Sequence, residues 1–210
     1  MGRLLVRSGP RRFEAEMVVH AAGRTPDLDD LDLPAAGVQR ETRGVQVNEF
    51  LQSVSNPIVY AAGDAAAGGG APLTPVAGYQ SRVVAANLLE GNLHKTDYTG
   101  MASAVYTVPP LAMVGLQEDA ARRQGLRFRV HQGDSGHWYS SRRVNESCSA
   151  FKVLVEEKTD RILGAHLLGE QAAEHINLFA LAVRCGLRAG DLKGALFTYP
   201  MHCSDTQYML

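Results

Sequence analysis

The 210-residue chain has few cysteines and no long apolar segment. Cys148, Cys185 and Cys203 lie far apart, which argues against both a disulfide framework and a structural zinc site. No apolar run approaches the ~20 residues that a membrane helix needs. The formal net charge is only -1 and the arginines are scattered, so nothing indicates nucleic acid or an acidic partner. We therefore expect a cytoplasmic protein that binds neither membranes nor nucleic acid.

The chain also lacks a Gly-x-Gly-x-x-Gly motif, the usual signature of a dinucleotide-binding βαβ unit. Its glycine-rich stretch, Gly68-Gly69-Gly70, is not followed by the Lys-Ser or Lys-Thr of a phosphate-binding loop, so we interpret it as a connector. The chain opens on two predicted strands, residues 4–6 and 16–21, around a Ser-Gly-Pro turn. Because a domain that begins on such a hairpin usually has more chain before it, we expect a truncated form of a longer protein.

In the first half, a predicted strand ends in a carboxylate. The β-branched run at 58–62 predicts a buried strand that leads into Gly63-Asp64. In open α/β sheets ligands bind beyond the carboxyl ends of the strands, and a glycine lets the backbone come close to them. The Asp64 carboxylate is suited to hold the hydroxyls of a sugar or ribitol by charge-assisted hydrogen bonds. A turn-capping role explains the same local pattern, and the residues alone leave both interpretations open.

A helix is predicted to follow, from Thr74 to Leu89, because apolar residues recur there at spacings of three and four. Thr74 can act as N-cap, Pro75 suits the first turn, and Gly91 is a natural stop. Its free N–H groups and positive dipole end would favour an electron-rich oxygen close to Asp64.

Beyond about residue 100, strands are followed by helices, which predicts an α+β domain on an antiparallel sheet. The segment HWYSSRRVNES, residues 137–147, is interpreted as an exposed loop or a hairpin connection. The remaining segments give a short helix at 116–125, strands at 126–132, 149–157 and 162–169, and helices at 172–186 and 189–196.

Several motifs together carry a family resemblance. AAGRTPD, VYAAGDAA and LTPVA occur in this order, and VPPLAMVGLQEDAARRQG and SAFKVLVEEKTDRILGAHLLG follow them. The series resembles the pyridine nucleotide-disulfide oxidoreductases, such as glutathione reductase, dihydrolipoyl dehydrogenase and mercuric reductase, over nearly the whole chain. The resemblance implies an α/β remnant of the FAD- and NAD(P)-binding domains, followed by an α+β dimerisation domain. Residues 1–24 would end the NAD(P)-binding domain, residues 25–98 would end the FAD-binding domain, and residues 99–210 would form the dimerisation domain.

The resemblance also implies roles for individual residues. Asp64, with Gly63 beside it, corresponds to the aspartate that binds the ribitol of FAD, and Gly23 and Arg24 correspond to the segment that returns from the nicotinamide domain. The helix start whose N–H groups face the pyrimidine edge of the isoalloxazine corresponds to Leu73, Thr74, Pro75, Val76 and Ala77. In the full-length enzyme NAD(P)H would supply the hydride, and a homodimer would form through the C-terminal domain.

The tail departs from the family pattern. Disulfide reductases of this family carry His-Pro-Thr there, followed by a glutamate that orients the histidine, whereas this chain has Tyr199-Pro200-Met201, with Ser204 in the place of the glutamate. A tyrosine with an ordinary pKa of ~10 is a poor base at neutral pH, although its hydroxyl can donate a hydrogen bond. Tyr199 is therefore the candidate catalytic residue.

Two alternatives for the tail remain open at this point. His202 and Asp205 are close in sequence and could together replace the missing dyad, or Cys203 could act as a catalytic thiol, although an inert cysteine is the usual case. No metal site is expected, because there is no Cys-x-x-Cys or other close cysteine spacing.

The sequence thus predicts the C-terminal portion of an FAD-dependent NAD(P)H oxidoreductase. It would contribute part of the flavin site and the dimer interface. Because the glycine-rich motifs and the redox cysteine pair of the family are absent, we expect the chain not to bind FAD tightly and not to be active alone. The alternatives are a non-catalytic dimerisation module or half of a split flavoprotein.

Overall fold

The computed structural model describes residues 3–210, and the chain divides into two compact units, Met1–Thr96 and Asp97–Leu210. The predicted domain limits at residues 24/25 and 98/99 stay predictions. Among the described residues, no helix has the length and the apolar character needed to span a bilayer.

The first unit contains short strands, one long helix and two short 3-10 turns. Its strands are β1 (Leu4–Ser8), β2 (Arg11–Ala15), β3 (Arg40–Glu41), β4 (Gly44–Gln46) and β5 (Ala66–Ala67). Its helix is α1 (Thr74–Glu90), and its 3-10 turns are Asp29–Leu31 and Gly63–Ala65. β1 and β2 form an antiparallel hairpin, while β4 pairs antiparallel with β3 and parallel with β5. The small core contains Leu28, Leu33, Val38 and Val45.

The hairpin differs from its prediction. The second strand is Arg11–Ala15 instead of residues 16–21, which have no strand structure. Ser8 pairs with Arg11, so the turn contains only Gly9 and Pro10, and Gly9 has a φ of 58°. Such a tight turn requires the partner strand to begin at once, which brings the pairing forward along the chain.

The prediction of a buried strand at 58–62 was wrong. This segment forms only an isolated bridge between Gln52 and Tyr60, and Ile58 is 83% exposed. A β-branched run becomes a strand only where neighbouring strands accept and donate its backbone hydrogen bonds. Gly63 and Asp64 therefore follow an extended segment and begin a 3-10 turn.

Helix α1 confirms the predicted helix, and it ends at Gly91 with a positive φ. Its start differs in detail, because Leu73 is the N-cap and Thr74 is the first helical residue, with no side-chain cap bond. Pro75 lies in the first turn, where a missing N–H costs nothing. The buried positions recur every three or four residues, as expected of one helical face, and are Val76, Gln80, Val83 and Asn87.

The second unit is built on a five-stranded antiparallel sheet in the order β6-β7-β10-β9-β8. Its strands are β6 (Ala102–Val105), β7 (Leu111–Gly115), β8 (Phe128–Asp134), β9 (Ala150–Glu156) and β10 (Ile162–Leu168). Its helices are α2 (Glu118–Arg123), α3 (Tyr139–Arg143), α4 (Ala172–Cys185) and α5 (Ala189–Lys193), with a 3-10 helix at His202–Tyr208. The α+β architecture predicted for this half is confirmed.

Helix α4 packs against the sheet and supplies the core of this unit. Ile176 and Phe179 are 2% and 0% exposed, and they belong to one apolar cluster with Val153 and Val155 of β9. Leu154, on the opposite face of β9, is also fully buried. The strand is therefore covered on both sides at this point.

Three segments of the second unit differ from their predictions. The stretch before residue 116, for which no strand was predicted, contributes β6 and β7. The segment 137–147, interpreted as an exposed loop, contains α3, in which Ser140 and Ser141 are each only 1% exposed. The last predicted helix, 189–196, ends at Lys193.

Candidate functional site

Gly63 and Asp64 lie against the first turns of helix α1. The Gly63 N–H donates a hydrogen bond to Oε1 of the buried Gln80 at 2.6 Å. Gly63 has a φ of 66°, and a Cβ placed there would lie 3.1 Å from the Cβ of Ala77. Glycine thus allows both the left-handed backbone and the close approach to the helix. The 3-10 turn and the helix start are thereby held together.

Asp64 forms an ion pair with Arg24. The Nη2 of Arg24 lies 3.2 Å from Oδ2 of Asp64, and the side chains are 75% and 46% exposed. The same Nη2 approaches the Pro72 carbonyl at 3.5 Å. The arginine of the AAGRTPD motif thus lies between the carboxylate and the loop that precedes α1.

A cavity of about 540 Å³ opens beside this pair. Two of the predicted cofactor-binding residues, Gly63 and Asp64, line it. The predicted helix-start residues 73–77 do not line it, although Pro72 just before them does. The other lining residues are Gly23, Arg24, Thr25, Pro26, Asp27, Thr42, Arg43, Ala66 and Gly70. Two carboxylates, two guanidinium groups and backbone around glycine can bind a polar ligand that carries hydroxyls.

The helix start presents backbone N–H groups. Leu73 is extended at φ -124°, and the Ala77 N–H donates to its carbonyl at 2.9 Å. Pro75 has no N–H, so the N–H groups that the helix leaves without an intrahelical partner are those of Thr74 and Val76. The positive end of the helix dipole acts in the same place and stabilises nearby negative charge.

A second group of predicted residues lies in the C-terminal tail of the other unit. Tyr199 is 72% exposed, and its ring stacks on Tyr139 of α3 with the centroids 5.9 Å apart and the planes 16° from parallel. Its hydroxyl is thus presented at the surface.

The suggested pairing of His202 with Asp205 does not form. Asp205 accepts a hydrogen bond from the hydroxyl of Ser140, and Nε2 of His202 lies 3.4 Å from Oε2 of Glu146. The side chains of His202 and Glu146 are only 13% and 6% exposed. Sequence reasoning missed Glu146 because its partner lies far along the chain, and no local spacing connects the two.

Burial changes the acidity of three groups near this tail. It lowers the pKa of His175 to about 4, with a smaller contribution from the charge of His202, and the His175 Nε2 lies 2.8 Å from Oγ1 of Thr206. Burial raises the pKa of Asp205, although the hydrogen bond from Ser140 opposes this shift. Burial also raises the pKa of the Cys203 thiol, assisted by the charge of Asp205. A thiol with a raised pKa is a poor nucleophile at neutral pH.

Over residues 3–210, no group of three or more histidine, cysteine, aspartate or glutamate side chains is arranged to hold a metal ion.

Two family models match the chain. The dimerisation domain of the pyridine nucleotide-disulphide oxidoreductases matches residues 101–209, and the model described as pyridine nucleotide-disulphide oxidoreductase matches residues 3–85. Together they cover both units of the structure.

Individual relatives agree with these matches. An uncharacterized 19.7 kDa protein in the mercuric resistance operon of Staphylococcus aureus is 49% identical over 180 residues, which are 86% of this chain and 100% of that protein. The mercuric reductases of Bacillus cereus and S. aureus are 32% and 33% identical over 90% and 89% of this chain. The chain spans only 30% and 34% of the length of these two enzymes.

Solved structures show the same fold. The HOCl-induced flavoprotein disulfide reductase RclA of Escherichia coli superposes with a TM-score of 0.84 at 26% identity, over 99% of this chain and 47% of that one. A Cu(II) complex of the same reductase gives a TM-score of 0.86 at 27% identity, with the same coverage.

Proposed function

This chain belongs to the pyridine nucleotide-disulphide oxidoreductase family, and from this premise we propose that it supplies the C-terminal part of a flavin site and the dimer interface of an FAD- and NAD(P)H-dependent oxidoreductase. The observation that carries the proposal is the placement of Asp64. Its carboxylate lines the 540 Å³ cavity and is tied through Gly63 to the start of α1. This arrangement fits the sugar-alcohol arm of FAD at the carboxylate.

In the proposed site, Asp64 holds ribitol hydroxyls, because an ionised carboxylate accepts hydrogen bonds without competing donors. Because Gly63 has no side chain, the backbone there can approach the helix closely, which keeps the Asp64 carboxylate near the helix start. FAD, when bound, supplies the chemistry of accepting a hydride from NAD(P)H, while the protein supplies position and electrostatics.

The helix start would act on the ring system of the flavin. The segment consists of Leu73, Thr74, Pro75, Val76 and Ala77, and its unpaired N–H groups with the dipole behind them would stabilise negative charge on the pyrimidine edge. The contact of Gly63 with Ala77 supports this assignment, because it places the helix start directly behind the residue next to Asp64.

We propose a homodimer formed through the C-terminal unit, which the match to the dimerisation domain supports. Tyr199 would then close the flavin site of the partner subunit and donate a hydrogen bond from its exposed hydroxyl. Since Cys148, Cys185 and Cys203 are all free thiols, a reducing cytoplasmic location fits the chain.

A second candidate is a dimerisation module without catalysis, or one half of a split flavoprotein. The 19.7 kDa relative favours it, because that short protein matches this chain over its whole length. In a split form, a separate polypeptide would bring the remaining part of the flavin site.

Flavin content separates the candidates. We expect the purified chain alone to carry no stoichiometric flavin, since it spans only about a third of the mercuric reductases that it matches. Co-expression with the N-terminal two-thirds of the B. cereus mercuric reductase should give a complex with one FAD per pair, and Asp64→Asn should reduce the bound flavin at least tenfold, by ~1.4 kcal/mol or more.

Asp30→Asn is the matched control, because Asp30 is an exposed carboxylate of the same unit that does not line the cavity. A complex that forms but carries no flavin would contradict the flavin role and leave the dimerisation module. Stoichiometric flavin on the chain alone would contradict the expectation that a complementary part is needed.

A further inference from the structure

We propose that the segment Trp138–Glu146, here called the clamp segment, positions the C-terminal tail Tyr199–Tyr208, and that Glu146 acts within it as a positioning residue for Tyr199. The link to Tyr199 rests on the function proposed above. The docking of the tail itself rests only on contacts inside the second unit.

Four contacts join the clamp segment to the tail. The ring of Trp138 meets Tyr208 edge-on at 5.9 Å, and the ring of Tyr139 stacks on Tyr199. Ser140 donates a hydrogen bond to Asp205, and Glu146 faces His202. Each contact therefore pairs a different residue of the clamp segment with a different residue of the tail, so the tail is held along its length.

Glu146 is largely enclosed, with only 6% of its side chain exposed. One carboxylate oxygen, Oε1, accepts a hydrogen bond from the N–H of Glu170, in the turn between β10 and α4. Gly169, in the same turn, leaves room for it, since a Cβ there would lie 2.8 Å from Oε1. The Glu146 side chain is thus fixed against the sheet-to-helix turn, and its orientation does not depend on the tail.

The other oxygen, Oε2, points to the tail. It lies 3.4 Å from Nε2 of His202, and within residues 3–210 neither atom has a hydrogen-bond partner of good geometry. A buried carboxylate is costly unless a cation or a donor compensates it. Moving the His202 imidazole away from Glu146 would therefore be unfavourable. His202 follows Tyr199 by three residues, and its position therefore restricts where the tyrosine can lie.

Other charged and titratable groups surround this pair. Asp205 comes from the tail, His175 comes from α4, and the charge of His202 acts on both. Asp205 is engaged by Ser140 and His175 by Thr206. Glu146 is thus the carboxylate that His202 contacts directly, and a test of the clamp should remove this contact.

Hydrogen exchange on the full 210-residue chain tests the clamp without any flavin. Glu146→Gln keeps the size of the side chain and removes its charge, and Glu157→Gln, on the exposed turn after β9, is the matched control. We expect Glu146→Gln to speed amide exchange at residues 199–208 about tenfold or more, while exchange in β9 and β10 stays unchanged. The control should leave both regions unchanged.

The fluorescence of Trp138 gives a second readout, because it is the only tryptophan of the chain. Release of the tail removes Tyr208 from the indole, so Glu146→Gln should increase quenching by acrylamide. If Glu146→Gln does not fold, Ser140→Ala removes the donor to Asp205 and should show the same local exchange.

A double-mutant cycle with His202→Gln identifies the pair. The two substitutions together should speed tail exchange no more than the stronger single one, because both remove the same contact. Additive effects, or exchange that rises equally in β9 and β10, would overturn the clamp. If Glu146→Gln speeds tail exchange as expected but Tyr199→Phe is fully active in the reconstituted enzyme, only the role of Tyr199 is refuted.

Discussion

The guanidinium of Arg24 lies 3.2 Å from the carboxylate of Asp64, so the residue expected to bind ribitol already has a cation beside it. Both side chains are largely open to solvent, and exposed ion pairs contribute little to stability because water screens them. The relationship therefore concerns the orientation of Asp64 more than the stability of the fold. Arg24 also reaches the Pro72 carbonyl, which connects that orientation to the loop before α1.

Replacing Arg24 by glutamine should change the free energy of unfolding by less than about 1 kcal/mol. Arg3→Gln is a suitable control, because Arg3 forms a comparable exposed ion pair with Glu14. Urea denaturation of the two variants should give similar midpoints. In the complex reconstituted with flavin, Arg24→Gln should weaken flavin binding severalfold and Arg3→Gln should not. Equal flavin binding by both variants would show that Arg24 does not orient Asp64.

Gly63→Ala should destabilise the first unit more than a glycine substitution at a similar backbone angle. At Gly63 the backbone is left-handed, which an L side chain disfavours, and the new Cβ would lie 3.1 Å from the Cβ of Ala77. Gly37 has a φ of 65° with no atom within 4 Å, so Gly37→Ala carries the backbone cost alone. We expect a loss of about 1 kcal/mol for Gly37→Ala and of about 2–3 kcal/mol for Gly63→Ala. Urea denaturation measures both, and equal losses would show that the approach to α1 is not tight.

The parts of the fold that sequence predicted well are those with local signals. Helix α1 has a proline in its first turn, a glycine at its end and apolar residues at helical spacing. β9 and β10 alternate around a short turn, and α4 carries one apolar face. In each case the residues that decide the structure lie within a few positions of one another.

The parts that it missed depend on distant neighbours. The run at 58–62 has the composition of a strand, but strand structure requires partners, and one bridge to Gln52 is what the fold supplies. Ser140 and Ser141 are polar, and their composition therefore predicted an exposed loop. In the structure this segment forms α3, and the tail covers the region around the two serines. Gly63 and Asp64 were recognised from their motif, whereas Glu146 belongs to no motif and became visible only through His202.

The three cysteines should react at different rates. Cys148 and Cys185 are exposed, whereas Cys203 is partly enclosed and its thiol pKa is raised by burial. Titration of the native chain with a chromogenic disulfide reagent at pH ~8 should label two thiols quickly and the third about tenfold more slowly. Cys203→Ser should remove the slow phase alone. Three equal rates in the native chain would contradict the burial of Cys203 and reopen a role for it as a reactive thiol.

The buried His175 should make the second unit sensitive to acid. Its pKa falls from 6.5 to about 4 on folding, so above pH 6.5 it is neutral in both states and adds no pH dependence. Between pH 6.5 and 4 the unfolded chain binds a proton that the folded chain does not. The free energy of unfolding should therefore decrease as the pH decreases, by up to ~1.4 kcal/mol per pH unit or about 3 kcal/mol in all. It should level off below pH 4.

Comparison with a variant isolates this contribution from that of Asp205. The raised pKa of Asp205 works in the opposite direction, since its folded form binds a proton more readily than its unfolded form. Urea midpoints of the native chain and of His175→Gln, measured from pH 7.5 to 4, should therefore converge as the pH falls, because only the native chain loses the contribution of His175. His137→Gln, at an exposed position next to Trp138, should run parallel to the native chain. If the His175→Gln curve also ran parallel, the imidazole would have to titrate normally in the fold, and its enclosure with Thr206 would be wrong.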